Sequence, residues 1–234
     1  VYFGCADGKI YALHAETGDK QWDFETGDKV WSTPSIHGDT LFIGSFDKKL
    51  YAIGATTGKE MWKKPYQTQG AIVSAPLVYN DTVYTGSFDR HIHAVNAADG
   101  SLRWQSETEA GSWFWAKPVI HNNTIYAGNL NGKVYILDAK TGKEKVDPID
   151  FKSPISSSPV LVDNFVIIAS EEGKVYALDT GTNQQSELRN LEKKICAPLY
   201  ANDGIVYIHT QEDETVYALK AENGQTLWSL PLTD

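Results

Sequence analysis

Three features of the sequence predict an all-β chain assembled from repeated four-stranded antiparallel sheets. One segment returns six times at near-constant spacing, each copy carries strand-sized apolar runs punctuated by Gly, Asp and Asn, and helical periodicity is missing. The segment reads "GKIYALHAETGDKQW" at 8–22, "KKLYAIGATTGKEMW" at 48–62 and "RHIHAVNAADGSLRW" at 90–104. It returns as "GKVYILDAKTGKEKV" at 132–146, "GKVYALDTGTNQQSE" at 173–187 and "ETVYALKAENGQTLW" at 214–228.

Two columns of this repeat are informative. Ala12, Ala52, Ala94, Ile136, Ala177 and Ala218 stand 40 to 42 residues apart, and beyond them lie Gly18, Gly58, Gly100, Gly142, Asn183 and Gly224. Asn is the residue that after Gly best tolerates a positive φ, so the second column predicts a left-handed turn rather than chemistry.

Each copy orders its strands alike. An apolar run such as "TLFIGS" or "TVYTGS" is followed by a polar corner, a second run such as "KLYAIGA", a turn, and the strand that holds Trp. A further run carries Pro34, Pro76, Pro118, Pro159 and Pro198. Four short strands in roughly 40 residues make one blade of a β-propeller, an arrangement that also protects strand edges. The blades fall at about 1–28, 29–68, 69–110, 111–150, 151–190 and 191–234, read as a single domain. The first copy lacks the proline-bearing strand, so five four-stranded blades and one three-stranded remnant are expected. The opening "VYFGCADGK" reads as the middle of a strand pair, and the chain is expected to be a fragment or mature portion of a longer one.

The pattern Ala-x-x-x-x-Thr-Gly-x-x-x-Trp resembles the pyrroloquinoline quinone type propeller repeat. It is carried by Ala12, Thr17, Gly18 and Trp22, by Ala52, Thr57, Gly58 and Trp62, and more loosely by Ala94, Gly100 and Trp104 and by Ala218, Gly224 and Trp228; Gly142 keeps the turn alone. The resemblance implies that each Trp packs against the neighbouring blade, and burying about 200 Å² of indole is worth ~5 kcal/mol gross. Val146 and Glu187 occupy the Trp position in the fourth and fifth copies, so that sector is expected to be held differently.

Bulk properties narrow the function. Lys and Arg total 21 against 30 Asp and Glu, a formal charge of -9, which argues against nucleic acid as a partner. The longest apolar runs, such as "NFVIIAS", are strand-sized, so no direct membrane insertion is expected. Cys5 and Cys196 have no metal or redox spacing and leave the compartment open. The sequons at Asn80 and Asn122 sit in hairpin positions.

Catalytic and metal chemistry find little support, and no cofactor is expected. Quinone dehydrogenases of this resemblance use a vicinal Cys-Cys pair, which the chain lacks, although a fragment of such an enzyme stays as a third reading. His91 and His93 share a strand face near Asp89, a spacing that can bind metal, yet His93 fills a column of Tyr11, Tyr51, Tyr135, Tyr176 and Tyr217. A packed role is the better reading. Asp7, Asp47 and Asp89, like the acidic run "QEDE" at 211–214, stand at hairpin corners as turn formers.

The leading functional reading is a non-catalytic scaffold that binds another protein. It rests on resemblance to a non-enzymatic branch of the family, the periplasmic lipoproteins of the β-barrel assembly machinery, which implies an extracytoplasmic location. A small-molecule or glycan sensor is the alternative. Candidate contact residues lie in the interblade loops, where propeller faces are built. Three residues before each proline stand Trp31, Val73, Trp115, Ser156 and Ile195, and the stretch "GSWFWAKP" at 111–118 places Trp113, Trp115 and Lys117 on one face with Phe114 on the other. Two readings stay open for these rings: a surface hot spot, or filling of the space left by Val146.

Overall fold

The computed structural model describes residues 1–107 and 109–232; the last boundary drawn above, at 234, lies outside them. The chain divides into two compact units, Val1–Lys117 and Pro118–Asp234, with three antiparallel sheets in each. In the first unit the opening sheet has three strands, Tyr2–Gly4, Lys9–Leu13 and Lys20–Glu25. The second sheet holds Ser35–His37, Thr40–Gly44, Lys49–Gly54 and Tyr66–Gln67, and the third Leu77–Tyr79, Thr82–Gly86, Ile92–Asn96 and Leu102–Gln105. In the second unit the fourth sheet holds Val119–His121, Thr124–Gly128, Lys133–Asp138 and Ile149–Asp150, and the fifth Val160–Val162, Phe165–Ala169, Lys174–Asp179 and Gln185–Asn190. The sixth is Tyr200–Asn202, Ile205–His209, Thr215–Lys220 and Thr226–Pro231. Each four-stranded sheet is a sequential meander, the blade of a β-propeller.

Turn chemistry explains the meander. The first hairpins turn in two residues, Asn80-Asp81 and Asn122-Asn123 among them, with φ of 46° and 55° and of 47° and 57°, the geometry that twisted hairpins select. The six-residue column turns left-handed throughout: Gly18, Gly58, Gly100, Gly142, Asn183 and Gly224 have φ between 58° and 75°. At the next corner the carboxylates act as turn formers, accepting the N–H two residues on, as Asp47 does from Lys49 at 3.1 Å and Asp89 from His91 at 3.1 Å.

Neighbouring sheets interlock through two devices. In the first, a strand glycine receives a buried side chain of the following segment: Gly4 faces Val30, Gly44 faces Ile72, Gly86 faces Phe114 and Gly128 faces Ile155, and a Cβ on any of these glycines would come within 2.5 Å of that side chain. The second is the indole. Trp22 Nε1–H donates to the Ala55 carbonyl at 2.8 Å with its ring against Gly58, and Trp62 repeats this onto Ala97 at 2.9 Å and Gly100. Trp22, Trp104 and Trp228 lie in outer strands, each directly after a β-bulge. Trp62 differs from expectation, preceding its two-residue outer strand in a segment held by the Met61 N–H bond to the Ala52 carbonyl.

The fifth sheet departs further. Its bulge moves two residues along, so Ser186 rather than Glu187 lies opposite Ala177, and the bulged Leu188 presses its backbone against Gly224. Glu187 instead pairs with Lys174 at 3.7 Å.

Candidate functional site

Two residues beyond the strands that end at Gly4, Gly44, Gly86, Gly128, Ala169 and His209, each chain corner carries one side chain that is at least partly exposed, and that position reads Ala6, Phe46, Phe88, Leu130, Glu171 and Gln211. In the first unit the Phe46 N–H bonds the Lys29 carbonyl and the Phe88 N–H bonds the Ala71 carbonyl, both at 2.9 Å. These bonds hold each corner against the loop entering the next blade.

The rings from these elements converge. Trp31 meets Phe46 edge-on at 4.8 Å between centroids and Trp115 at 6.2 Å; Phe46 meets Phe88 at 6.0 Å, and Phe88 stacks on Trp115 at 5.7 Å. Trp113 lies nearly parallel on the same Phe88 at 4.4 Å and 12°. Such offset and edge geometries are the favourable ones for aromatic pairs. Trp31 is 53% exposed and Trp113 47%, while Phe46, Phe88 and Trp115 are half-buried. Five rings from four segments therefore form one apolar platform with an open tryptophan at each end.

Of the residues singled out by sequence, Trp31, Trp113 and Trp115 come together here. Segment 113–117 forms no strand, yet its side chains alternate as expected, with Trp113, Trp115 and Lys117 turned outward of the buried Phe114 and Ala116. Phe114 is 2% exposed and sits over Gly86 in the column of Val30, Ile72 and Ile155. It is a core residue of the repeat and unavailable to a partner. Strand alternation sets Phe114 opposite the tryptophans, but nothing in the sequence tells which of the two faces turns inward. Within the first unit Trp113 stacks on Phe88 with about half its surface open. Burial pulls the half-buried Lys117 ammonium below the usual lysine range. Sequence reasoning missed Phe46 and Phe88; the repeated "SFD", against Ala, Leu, Glu and Gln elsewhere in the column, was the available signal.

Beside this face the histidines are engaged by protein. His93 Nε2 lies 3.1 Å from both Asp89 carboxylate oxygens and its Nδ1 lies 2.9 Å from Tyr66 Oη, with the ring buried. His93 thus copies the pairs Tyr11–Asp7 at 2.6 Å and Tyr51–Asp47 at 2.5 Å. Burial works to raise the Asp89 carboxyl, but the His93 bond and the Gln69 and His91 N–H donors outweigh it and hold the group below the ordinary carboxylate range. His91 Nδ1 faces the Ser106 carbonyl at 3.0 Å. Among the described residues no three His, Cys, Asp or Glu are grouped to hold a metal ion, and no helix is long and apolar enough to cross a membrane. Cys5 and Cys196 are free thiols.

Comparison with known proteins places this geometry. The chain is similar to the crystal structure of BamB from Moraxella catarrhalis, with a TM-score of 0.78 at 22% identity over 98% of this chain and 69% of that one. It is also similar to the computationally designed Ika8 protein, with a TM-score of 0.84 at 18% identity over 98% of this chain and 70% of that one. These likenesses establish the β-propeller fold. No curated protein sequence matches. The family model described as outer membrane protein assembly factor BamB matches residues 6–230, and the chain belongs to that family.

Proposed function

We propose that the chain is a non-catalytic scaffold that docks a protein partner on the aromatic platform of residues 1–117, in an extracytoplasmic assembly of the kind the family description names. The observation that carries this reading is the exposure of Trp31 and Trp113 at the ends of a five-ring cluster. Contiguous exposed aromatics mark interaction surfaces, and tryptophan is the residue most enriched where binding energy concentrates. Trp113 has one face covered by Phe88 and the other open. An open indole face also suits a sugar ring, which supports the sensor as second reading.

Photo-crosslinking from position 31 and from position 113 in cells expressing the chain tests the proposal. The expected result is one protein captured from both positions and not from exposed Lys140, with capture abolished by Trp115→Ala. Fluorescence shifts with a glycan panel but no captured protein would move the assignment to the sensor. Alcohol oxidation on reconstitution with calcium and quinone would overturn the non-catalytic reading.

A further inference from the structure

In the first unit the repeat closes the junctions between sheets with its own hydrogen-bond donors. The Ala55 carbonyl receives both Trp22 Nε1–H and, at 3.1 Å, Tyr2 Oη–H, and the Ala97 carbonyl receives Trp62 Nε1–H. The same column continues in the second unit as Ala139, Thr180 and Ala221. The Thr180 carbonyl receives Tyr126 Oη–H at 3.5 Å.

At Ala221 both kinds of donor are gone. The fifth sheet carries Ser186 rather than Trp opposite Ala177, and Ile167 stands where Tyr2, Phe42, Tyr84, Tyr126 and Tyr207 stand in the other sheets. Among the described residues no side chain bonds the Ala221 carbonyl, although Ala221 is 6% exposed. The Gly224 end of the junction is closed by the Leu188 backbone. At the Ala221 end a cleft of about 590 Å³ stays open, walled by Val162, Phe165 and Ala221, a size ordinary for a binding site. Asp163, Asp203 and Glu222 line it against a single cation, Lys220.

We propose that this cleft between the fifth and sixth sheets docks an indole side chain carried on a basic segment of a partner protein. The indole supplies the N–H that the fold provides at Ala55 and Ala97 and withholds at Ala221. Its ring covers the apolar wall, where Phe165 is otherwise exposed, and the flanking cations meet the acidic rim. This site is separate from the aromatic platform.

The test is a titration of the whole chain with a Lys-Trp-Lys amide, followed residue by residue through backbone amide NMR shifts, with Lys-Leu-Lys amide as control. The expected result is saturable shifts at Val162, Phe165, Ala221 and Glu222, with Lys-Leu-Lys about tenfold weaker. The double variant Asp203→Asn with Glu222→Gln, both on exposed turns, is expected to weaken binding at least about threefold at low salt. Ile167→Tyr, which restores a hydroxyl donor, is expected to compete with the peptide. Equal shifts from the two peptides, or shifts confined to residues 1–117, would overturn the proposal. Because different amides report on the two sites, failure here is distinct from failure of the aromatic platform.

Discussion

Glycines of the turn column are held for two separable reasons, and the structure supplies a comparison that isolates them. Gly18 and Gly100 share a φ of 75° and Gly58 has 67°, so an alanine at any of the three meets a similar left-handed penalty of about 1–2 kcal/mol. Around Gly18 a Cβ meets nothing within 4 Å, and Gly18→Ala should cost only that penalty. At Gly58 the Cβ would come 2.8 Å from the Trp22 ring, and at Gly100 2.8 Å from the Trp62 ring. Neither indole can swing aside freely, since each is tied by its N–H to a carbonyl of the same turn. Overpacking of this kind adds about 1–3 kcal/mol, so Gly58→Ala and Gly100→Ala should cost about 2–5 kcal/mol. In a Trp22→Ala background the ring is gone, and Gly58→Ala should fall back to the Gly18→Ala value, a coupling of about 1–3 kcal/mol. Urea unfolding followed by far-ultraviolet circular dichroism measures all six proteins, and in thermal scans each kcal/mol should appear as a melting shift of about 2–4 °C. Equal costs at Gly18 and Gly58, or a Gly58 cost unchanged without Trp22, would refute the seating of the indole as the reason for the glycine.

Three further outcomes follow from particular contacts. Phe114→Ala should cost about 3–5 kcal/mol, as a buried ring does, whereas Trp113→Ala, which loses one stacked face, should cost no more than about 1–2 kcal/mol by the same urea titration. His93→Tyr should be tolerated within about 1 kcal/mol because Tyr11 and Tyr51 make the same carboxylate bond, while His93→Phe removes the side-chain partner of Asp89, leaving it the Gln69 and His91 N–H bonds, and also removes the His93 bond of Tyr66, and should cost about 2–3 kcal/mol. The Asp89 carboxyl is lowered in the folded chain, burial being outweighed by the His93 and backbone bonds, so its contribution is present above the unfolded value near 4 and lost as pH falls through the folded one. The stability gap between wild type and Asp89→Asn should therefore be steady above about pH 5 and close in more acidic solution; a gap that widens on acidification would contradict the sign.

The backbone was legible where one residue type answers one geometric demand. A left-handed turn accepts Gly or Asn, and Asn183 in a glycine column revealed the φ before any coordinates. Hairpin tips and Asx corners were readable for the same reason. The packing was less legible, because the residues that interlock blades lie on different segments and their partners are glycines whose neighbours the sequence does not state. The buried role of Phe114 is not visible in the sequence, since its mate, Gly86, is 28 residues away by number and in van der Waals contact by position. The register shift in the fifth sheet was hidden because a bulge moves without changing the residue count, leaving Glu187 numerically in the Trp column and structurally beside it.

The corner column supplies the strongest argument that the aromatic platform is more than packing. At the fifth blade the same position holds Glu171, whose N–H bonds the Pro154 carbonyl as Phe46 bonds Lys29, and whose carboxylate pairs with Lys194 at 3.2 Å. At the sixth it holds Gln211, with its N–H on the Lys194 carbonyl at 2.8 Å. The backbone geometry is thus satisfied by a charged or an amide side chain, and a ring is not required for the corner to form. Phe46 and Phe88 cannot be explained by the turn they occupy. They are explained by what lies over them, Trp31, Trp113 and Trp115, and the outermost of these keep about half their surface open to solvent. A chain with 30 acidic residues has ample means of making a polar corner and uses them two blades later. Apolar surface left uncovered where the fold permits a polar residue adds nothing to the stability of the isolated chain, and this is the physical ground for the docking surface proposed above.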